Sequence, residues 1–348
     1  MRDCCRRLKP YIVPQDEGVV KLNQNESPFD VPEEIKERIF DRLRRVPWNR
    51  YPRFDPGPLR ARLANYTDFP AAGILTGSSS NEIIQTVMLA CCEPGDVVVI
   101  IEPGFSIYPR LGRILGLDVR SVPLGRDFRF EPDRLIAASR NARLTIFASP
   151  NNPTGTSLAV KEIDRLCRGG DGYLAIDEAY YEFDAETCQA LIESHPRLMV
   201  IRTFSKAFGL AGVRLGYLLA RPGIIEVMDK VKLPFSLGFF PQICGAELLR
   251  DPRLVRQSAA AIVRDRRNVM KELKRLKRVR AIPSRANFIL FQVRGMPAPR
   301  IFAGLRKQGV LIRAFDAPRL DQWLRVTIGR PGENEKFLRA LKKILGAS

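Results

Sequence analysis

The chain has 348 residues, 45% of them hydrophobic, and a formal net charge of +19. That length exceeds one simple core and suits a large domain beside a smaller one, and the lack of an apolar run of about 18 residues argues against a membrane-spanning helix. The single histidine, His195, lies in the polar stretch Glu193-Ser194-His195-Pro196, which argues against a Ser-His-Asp hydrolase and most transition-metal sites.

In chain order, Met1-Arg2-Asp3-Cys4-Cys5-Arg6-Arg7 has no apolar core and is not expected to be a secretory signal. Ser80 to Cys91 carries Ile83, Ile84, Val87 and Met88 at helical spacing. Short apolar runs follow at Val97–Ile101, Leu144–Ala148, Tyr173–Ile176, Leu198–Ile201 and Val213–Leu218. Such runs between helical segments predict a mainly parallel sheet covered on both faces. Beyond them the pattern reads helix Pro252–Lys277, strand Asn287–Val293, helix Pro299–Lys307, strands Val310–Arg313 and Leu324–Ile328, and helix Glu333–Leu345. That is the signature of a smaller α+β domain. The expected division is 1–46, 47–245 and 246–348.

Seven cysteines include the adjacent pairs Cys4-Cys5 and Cys91-Cys92 but no CxxC spacing. An odd count without framework spacing favours reduced thiols in the cytoplasm. Basic residues crowd the segment from Arg264 through Arg266, Arg267, Lys271, Lys274, Arg275, Lys277 and Arg278 to Arg280. Ile262, Val263, Val269, Met270, Leu273 and Leu276 interleave with them, so the segment reads as a helix with one buried and one solvated face. Nucleic-acid binding is the alternative, and no zinc-finger spacing or RNA-recognition aromatic motif supports it.

Lys206 is the chemical focus. It follows Thr203 and Ser205, precedes a glycine-broken loop, and stands eight residues before Arg214. A lysine amine forms Schiff bases with carbonyls when burial or nearby cations lower its pKa. Hydroxyls and an arginine beside it suit a phosphate. A carbonyl and a phosphate on one ligand describe pyridoxal 5'-phosphate (PLP).

Three further motifs sit at element ends. Ser78-Ser79-Ser80-Asn81-Glu82 opens a helix, where free N–H groups favour anions, though Ser and Asn are also ordinary caps. Ser149-Pro150-Asn151-Asn152-Pro153-Thr154-Gly155 follows a strand, as does Asp177-Glu178-Ala179-Tyr180. Ligands of parallel sheets bind beyond the carboxyl ends of strands. A buried carboxylate there needs a cationic partner, and a pyridinium N–H would serve. In the C-terminal part, Arg313 and Arg325 lie in apolar strands and suit a carboxylate or a phosphate, or else structural ion pairs.

Together with Leu22-Asn23-Gln24-Asn25-Glu26-Ser27-Pro28 and Asn49-Arg50-Tyr51-Pro52, these motifs resemble in order and spacing the aspartate-aminotransferase fold family, PLP fold type I. Within it they are most similar to the histidinol-phosphate aminotransferase subfamily. The resemblance implies an α/β fold: a three-layer large domain with a mainly parallel sheet, plus a smaller α+β C-terminal domain. It implies that Lys206 binds PLP and shuttles a proton, and that Asp177 pairs with the pyridinium nitrogen. Asn152 and Tyr180 would contact the ring oxygen, and Phe105 would stack on the ring. The phosphate would sit among Ser79, Ser80, Asn81, Thr203, Ser205 and Arg214. Tyr51 would reach the cofactor of a second copy, which implies a homodimer. Arg325 would bind the substrate α-carboxylate and Arg313 a substrate phosphate, with Asn25 and Tyr11 covering the site. Ser27 and the Ser79-Ser80-Asn81-Glu82 cup depart from the commoner family pattern without removing a cofactor contact.

The implied reaction moves an amino group between glutamate/2-oxoglutarate and a phosphorylated amino substrate in histidine biosynthesis. A threonine-phosphate decarboxylase, a broad aromatic aminotransferase and a nucleic-acid-binding regulator are the alternatives. The residues before Leu22 are too few for the extra module of such a regulator, so no specific nucleic acid and no membrane are expected as partners.

Overall fold

The computed structural model describes residues 1–10, 16–183 and 185–346. Its strands, in chain order, are β1 Val20–Lys21, β2 Ile74–Gly77, β3 Val97–Glu102, β4 Asp118–Pro123, β5 Leu144–Ala148, β6 Tyr173–Asp177, β7 Leu198–Thr203, β8 Gly216–Leu219, β9 Val279–Ala281, β10 Phe288–Val293, β11 Val310–Leu311, β12 Arg313–Ala314 and β13 Leu324–Thr327.

Seven of them form one sheet in the order β2-β8-β7-β6-β5-β3-β4. All of its pairings are parallel except those of β8, which runs antiparallel to both β2 and β7. The alternation of side chains along a strand splits its apolar residues between two layers. Val98, Ile100, Ile146 and Met199 pack on one face with Ile83, Ile84 and Val87 of the helix Ser79–Cys91. Val99, Ile101, Phe147, Ile176 and Val200 pack on the other. The α/β architecture and the mainly parallel sheet are as the runs of apolar residues predict.

The C-terminal sheet is antiparallel, in the order β12-β13-β10-β9, with Leu290 opposite Arg325. The run Val310–Arg313 is not one strand. Val310–Leu311 pairs with β1 in parallel, and Arg313–Ala314 pairs with β13. The chain changes sheets at Ile312, so the N-terminal segment is stitched to the C-terminal part. The expected strand Val213–Leu218 also shortens, to Gly216–Leu219, because Arg214 is left-handed (φ 62°) and breaks the extended run.

The basic helix spans Arg253–Arg275 and buries Val255, Ala259, Ile262, Val269 and Leu273. Arg266 departs from the expected solvated face. It is buried and donates to the carbonyls of Phe183 (2.9 Å) and Ala286 (2.8 Å). An inward arginine of this kind ties the helix to the segment that follows Tyr180.

Beside Asp177, Glu178 and Arg202 form a fully buried ion pair between the ends of β6 and β7. Nε and Nη2 of Arg202 both donate to Glu178 Oε2, at 3.0 and 2.9 Å, and Nη2 also reaches Thr187 Oγ1 at 2.6 Å. The guanidinium lies over the Tyr181 ring at 3.9 Å. A buried pair adds little net stability over apolar residues, but breaking it strands a charge. Arg202→Ala is therefore expected to destabilise the fold by about 3–5 kcal/mol, read as a lower urea midpoint at unchanged slope.

Candidate active site

The carboxyl ends of β5, β6 and β7 open into a cavity of about 530 Å³. That size suits a small-molecule ligand. Asn152, from the loop after β5, and Asp177 and Tyr180, at the end of β6, line it. So do Thr203, which ends β7, Ser205 and Lys206, which follow it, and Arg214. Phe105 and the helix-opening residues Ser80 and Asn81 complete the large-sheet wall. Asn25, Arg313 and Arg325 close it from the other side.

Two expected residues lie elsewhere. Ser79 is buried with φ 76° and does not line the cavity. Gly216 of β8 lies against the Ser79 and Ser80 backbone, so a Cβ there would fall 2.4 Å from the Ser80 nitrogen. Tyr51 is exposed and stacks on Phe235 with ring centres 4.6 Å apart. Tyr11 lies outside the described residues. His195 accepts or donates a hydrogen bond with Asp164 (2.7 Å) in the loop before β7, at the opposite end of that strand from Lys206.

Asp177 is buried, and both its oxygens are engaged. Oδ2 accepts the Tyr108 hydroxyl (2.8 Å) and Oδ1 accepts the Ala179 N–H (3.0 Å). Burial raises the carboxyl to about 6, while the Tyr108 and Ala179 donors act against that rise. Burial holds the Tyr108 phenol well above its usual range, so it stays a donor. Sequence reading missed Tyr108. Its one signal was its position three residues after Phe105, one helical turn on.

Lys206 Nζ donates to the Gln24 carbonyl at 3.1 Å and sits 5.9 Å from the Tyr180 ring centre. Burial first, then the Arg325 charge, lowers its amine to about 8. Tyr180 is fixed from the far side by Asn25 Nδ2, which donates to its hydroxyl at 3.0 Å. At the anion end, Thr203 Oγ1 donates to Ser205 Oγ (3.0 Å), and Arg214 Nη1 donates to the Ala211 carbonyl (3.0 Å). The peptide bonds preceding Pro150 and Pro153 are both cis.

Arg325 is buried on β13 and faces the cavity. Nη1 donates to Asn152 Oδ1 (2.5 Å) and Nη2 to the Asn23 carbonyl (2.7 Å). Its guanidinium lies over the rings of Phe288 (5.2 Å) and Phe315 (5.9 Å). A guanidinium offers a planar fork of donors that suits a carboxylate or a phosphate.

The arrangement fits PLP from the chemistry of its donors. A hydroxyl and arginine cup suits the phosphate, an amine with a depressed pKa suits the carbonyl, and a buried carboxylate suits the ring nitrogen. All three face one cavity.

The sequence pattern of the family "Aminotransferase class I and II" matches residues 17–341. A histidinol-phosphate aminotransferase of Chlorobaculum parvum is 38% identical over 341 residues, covering 97% of this chain and 96% of that protein. One of Thermococcus kodakarensis is 37% identical over 343 residues, covering 99% and 98%. The crystal structure of histidinol-phosphate aminotransferase from Sinorhizobium meliloti, in complex with pyridoxal-5'-phosphate, superposes with a TM-score of 0.90 at 24% identity and covers 99% of this chain and 97% of that one.

Two outcomes are expected. Only the neutral amine attacks a carbonyl, and its fraction rises through the pKa. The rate at which PLP attaches to cofactor-free protein should therefore be half-maximal near pH 8, where an unperturbed lysine would still be climbing at about pH 10; stopped-flow absorbance checks this. Tyr108→Phe removes a donor that favours the Asp177 carboxylate, so its carboxyl should rise above about 6. PLP affinity should then fall about 10-fold at pH 6 and recover towards the parent value as the pH rises to 8, measured by equilibrium titration.

Proposed function

The chain belongs to the class I and II aminotransferases, and on that premise we propose that it transfers the amino group of histidinol phosphate to 2-oxoglutarate, giving imidazole-acetol phosphate and glutamate in histidine biosynthesis. The observation that carries this reading is the pair Arg313 and Arg325 facing the same cavity as Lys206. One arginine suits the carboxylate of glutamate. The second gives a phosphorylated substrate a further cation. The names of the two curated relatives support the same substrate.

PLP, when bound, supplies an electron sink for the bond that loses its proton. Asp177 keeps the ring nitrogen protonated, which its buried position and the Tyr108 hydroxyl make possible. Lys206 holds the carbonyl carbon and then carries the proton to and from the substrate α-carbon. An amine near pH 8 is suited to both directions of that transfer. Ser80, Asn81, Thr203, Ser205 and Arg214 line the cavity and would hold the phosphate, Phe105 would cover the ring, and Asn152 and Tyr180 would contact the ring oxygen. Arg325, buried beside Phe288 and Phe315, aligns the substrate anion so that its α-carbon faces Lys206.

The working unit is a homodimer. Trp48, Tyr51 and Leu233 are 82%, 79% and 72% exposed, and Tyr51 stacks on Phe235, so a second copy has an apolar surface to cover. Tyr51 then serves the partner's cofactor phosphate. The chain divides into 1–46, 47–245 and 246–348, supported by the pairing of β1 with β11. Cys188 and Cys244 are buried free thiols, which suits the cytoplasm.

The test is amino transfer by PLP-loaded protein, with histidinol phosphate, phenylalanine and threonine phosphate compared as donors and Lys206→Ala protein as the blank. Histidinol phosphate is expected to dominate. Arg313→Ala should lose about 10-fold or more in kcat/KM with it while leaving the glutamate half-reaction closer to parent. Equal turnover of phenylalanine would remove the phosphorylated substrate, and carbon dioxide release from threonine phosphate would replace transfer by decarboxylation.

A further inference from the structure

The loop between β12 and β13 forms part of the cavity wall through Phe315, Asp316, Ala317 and Leu320. It belongs to the C-terminal sheet, yet one residue fastens it to the large sheet. Arg319 Nη2 donates to the Leu124 carbonyl (2.6 Å) and the Gly125 carbonyl (3.3 Å), and Nη1 reaches the Glu102 carbonyl at 3.4 Å. Its guanidinium also lies 5.6 Å from the Phe128 ring centre.

These acceptors are placed where they matter. Glu102 ends β3 and directly precedes Pro103-Gly104-Phe105, the segment that carries the ring-covering aromatic. Leu124 and Gly125 follow β4. Arg319 is itself left-handed (φ 65°), a conformation that non-glycine residues adopt at a cost and keep where contacts demand it. The turn is closed locally by the Leu320 N–H on the Ala317 carbonyl (3.1 Å).

We propose that Arg319 is a positioning residue for substrate binding: it clasps the Phe315–Leu320 loop to the β3 and β4 ends and so holds Phe315 against Arg325. The chain of contacts is continuous. Arg319 fixes the loop, the loop presents Phe315, and Phe315 covers one side of the Arg325 guanidinium, 5.9 Å from its ring centre. Phe288, 5.2 Å away, belongs to β10 and does not depend on the loop. Without the clasp, Arg325 keeps its bonds to Asn152 and Asn23 but loses its upper wall, and the cavity mouth opens to water. An anion clamp weakens when water competes for it.

The base of the loop has separate support. Trp323 packs edge-on against Phe128 (5.0 Å), and Arg280 pairs with Asp127. Loss of Arg319 therefore frees the tip of the loop and leaves the two sheets joined.

The inference rests on the proposed reaction, and the experiment separates the two. Parent, Arg319→Ala and Arg319→Lys proteins are compared for KM and kcat with 2-oxoglutarate and histidinol phosphate, for PLP affinity, and for hydrogen exchange of residues 315–320. In Arg319→Ala both KM values are expected to rise about 10-fold, the scale set by losing hydrogen bonds from a charged donor. The saturated kcat should stay near parent, PLP affinity should not change, and exchange at 315–320 should quicken. Arg319→Lys, which keeps one donor direction but not the fork, should fall between. Unchanged KM values would overturn the role, as would a fall in kcat at constant KM, or a KM rise matched by weaker PLP binding. If the parent protein itself does not turn over histidinol phosphate, the proposed function fails instead, and the exchange measurement with 2-oxoglutarate bound still decides on the clasp.

Discussion

A carboxylate buried at the end of the central strand β6 is the constraint on which the site depends. Asp177 is buried at the cavity wall, so its charge is met by fixed donors. The backbone meets part of that need through Ala179, and Tyr108 meets the rest from the helix Ile107–Leu115. Next along the chain, Glu178 points away and is neutralised by Arg202. Two adjacent acidic residues thus face different surroundings: one pairs across strand ends, and the other lines the cavity.

The charges around the cavity explain its chemistry. Lys206, Arg214, Arg313 and Arg325 share its wall with Asp177, Glu26 and Asp316. Glu26 is paired with Lys21 at 2.7 Å. Burial first, and then the Arg325 charge, lowers the Lys206 amine. Much of the chain's +19 charge has no such role. It lies on exposed positions such as Arg256, Lys271 and Lys274 of the long C-terminal helix.

Both sheets contribute to the same cavity, and several of the contacts around it are side-chain donors on backbone carbonyls, beside the Arg325–Asn152 hydrogen bond and the Arg280–Asp127 ion pair. Arg325 reaches the Asn23 carbonyl, Arg319 reaches Leu124, and Arg266 reaches Phe183 and Ala286. Carbonyl acceptors can be released and remade without leaving a buried counter-charge behind, unlike the Arg202–Glu178 pair.

Local pattern determined the elements and the chemistry. Near-continuous apolar runs such as Leu144–Ala148 are strands buried on both faces, and that burial is visible residue by residue. Lys206, Asp177, Asn152 and Arg214 stand out in the sequence because each sits in a short motif next to an element end, and the fold brings all four to one cavity. The edge strand β4 was not legible, since Asp118, Arg120 and Ser121 face solvent and leave no apolar run. Only tertiary structure decided that Val310–Arg313 is divided between two sheets, that Arg266 turns inward, and that Tyr108 and Arg319 serve a site assembled from distant segments. Their partners, Asp177 and the Leu124 carbonyl, lie 69 and 195 residues away. Hydrogen bonds over such separations follow from how the layers pack, and no local periodicity encodes them.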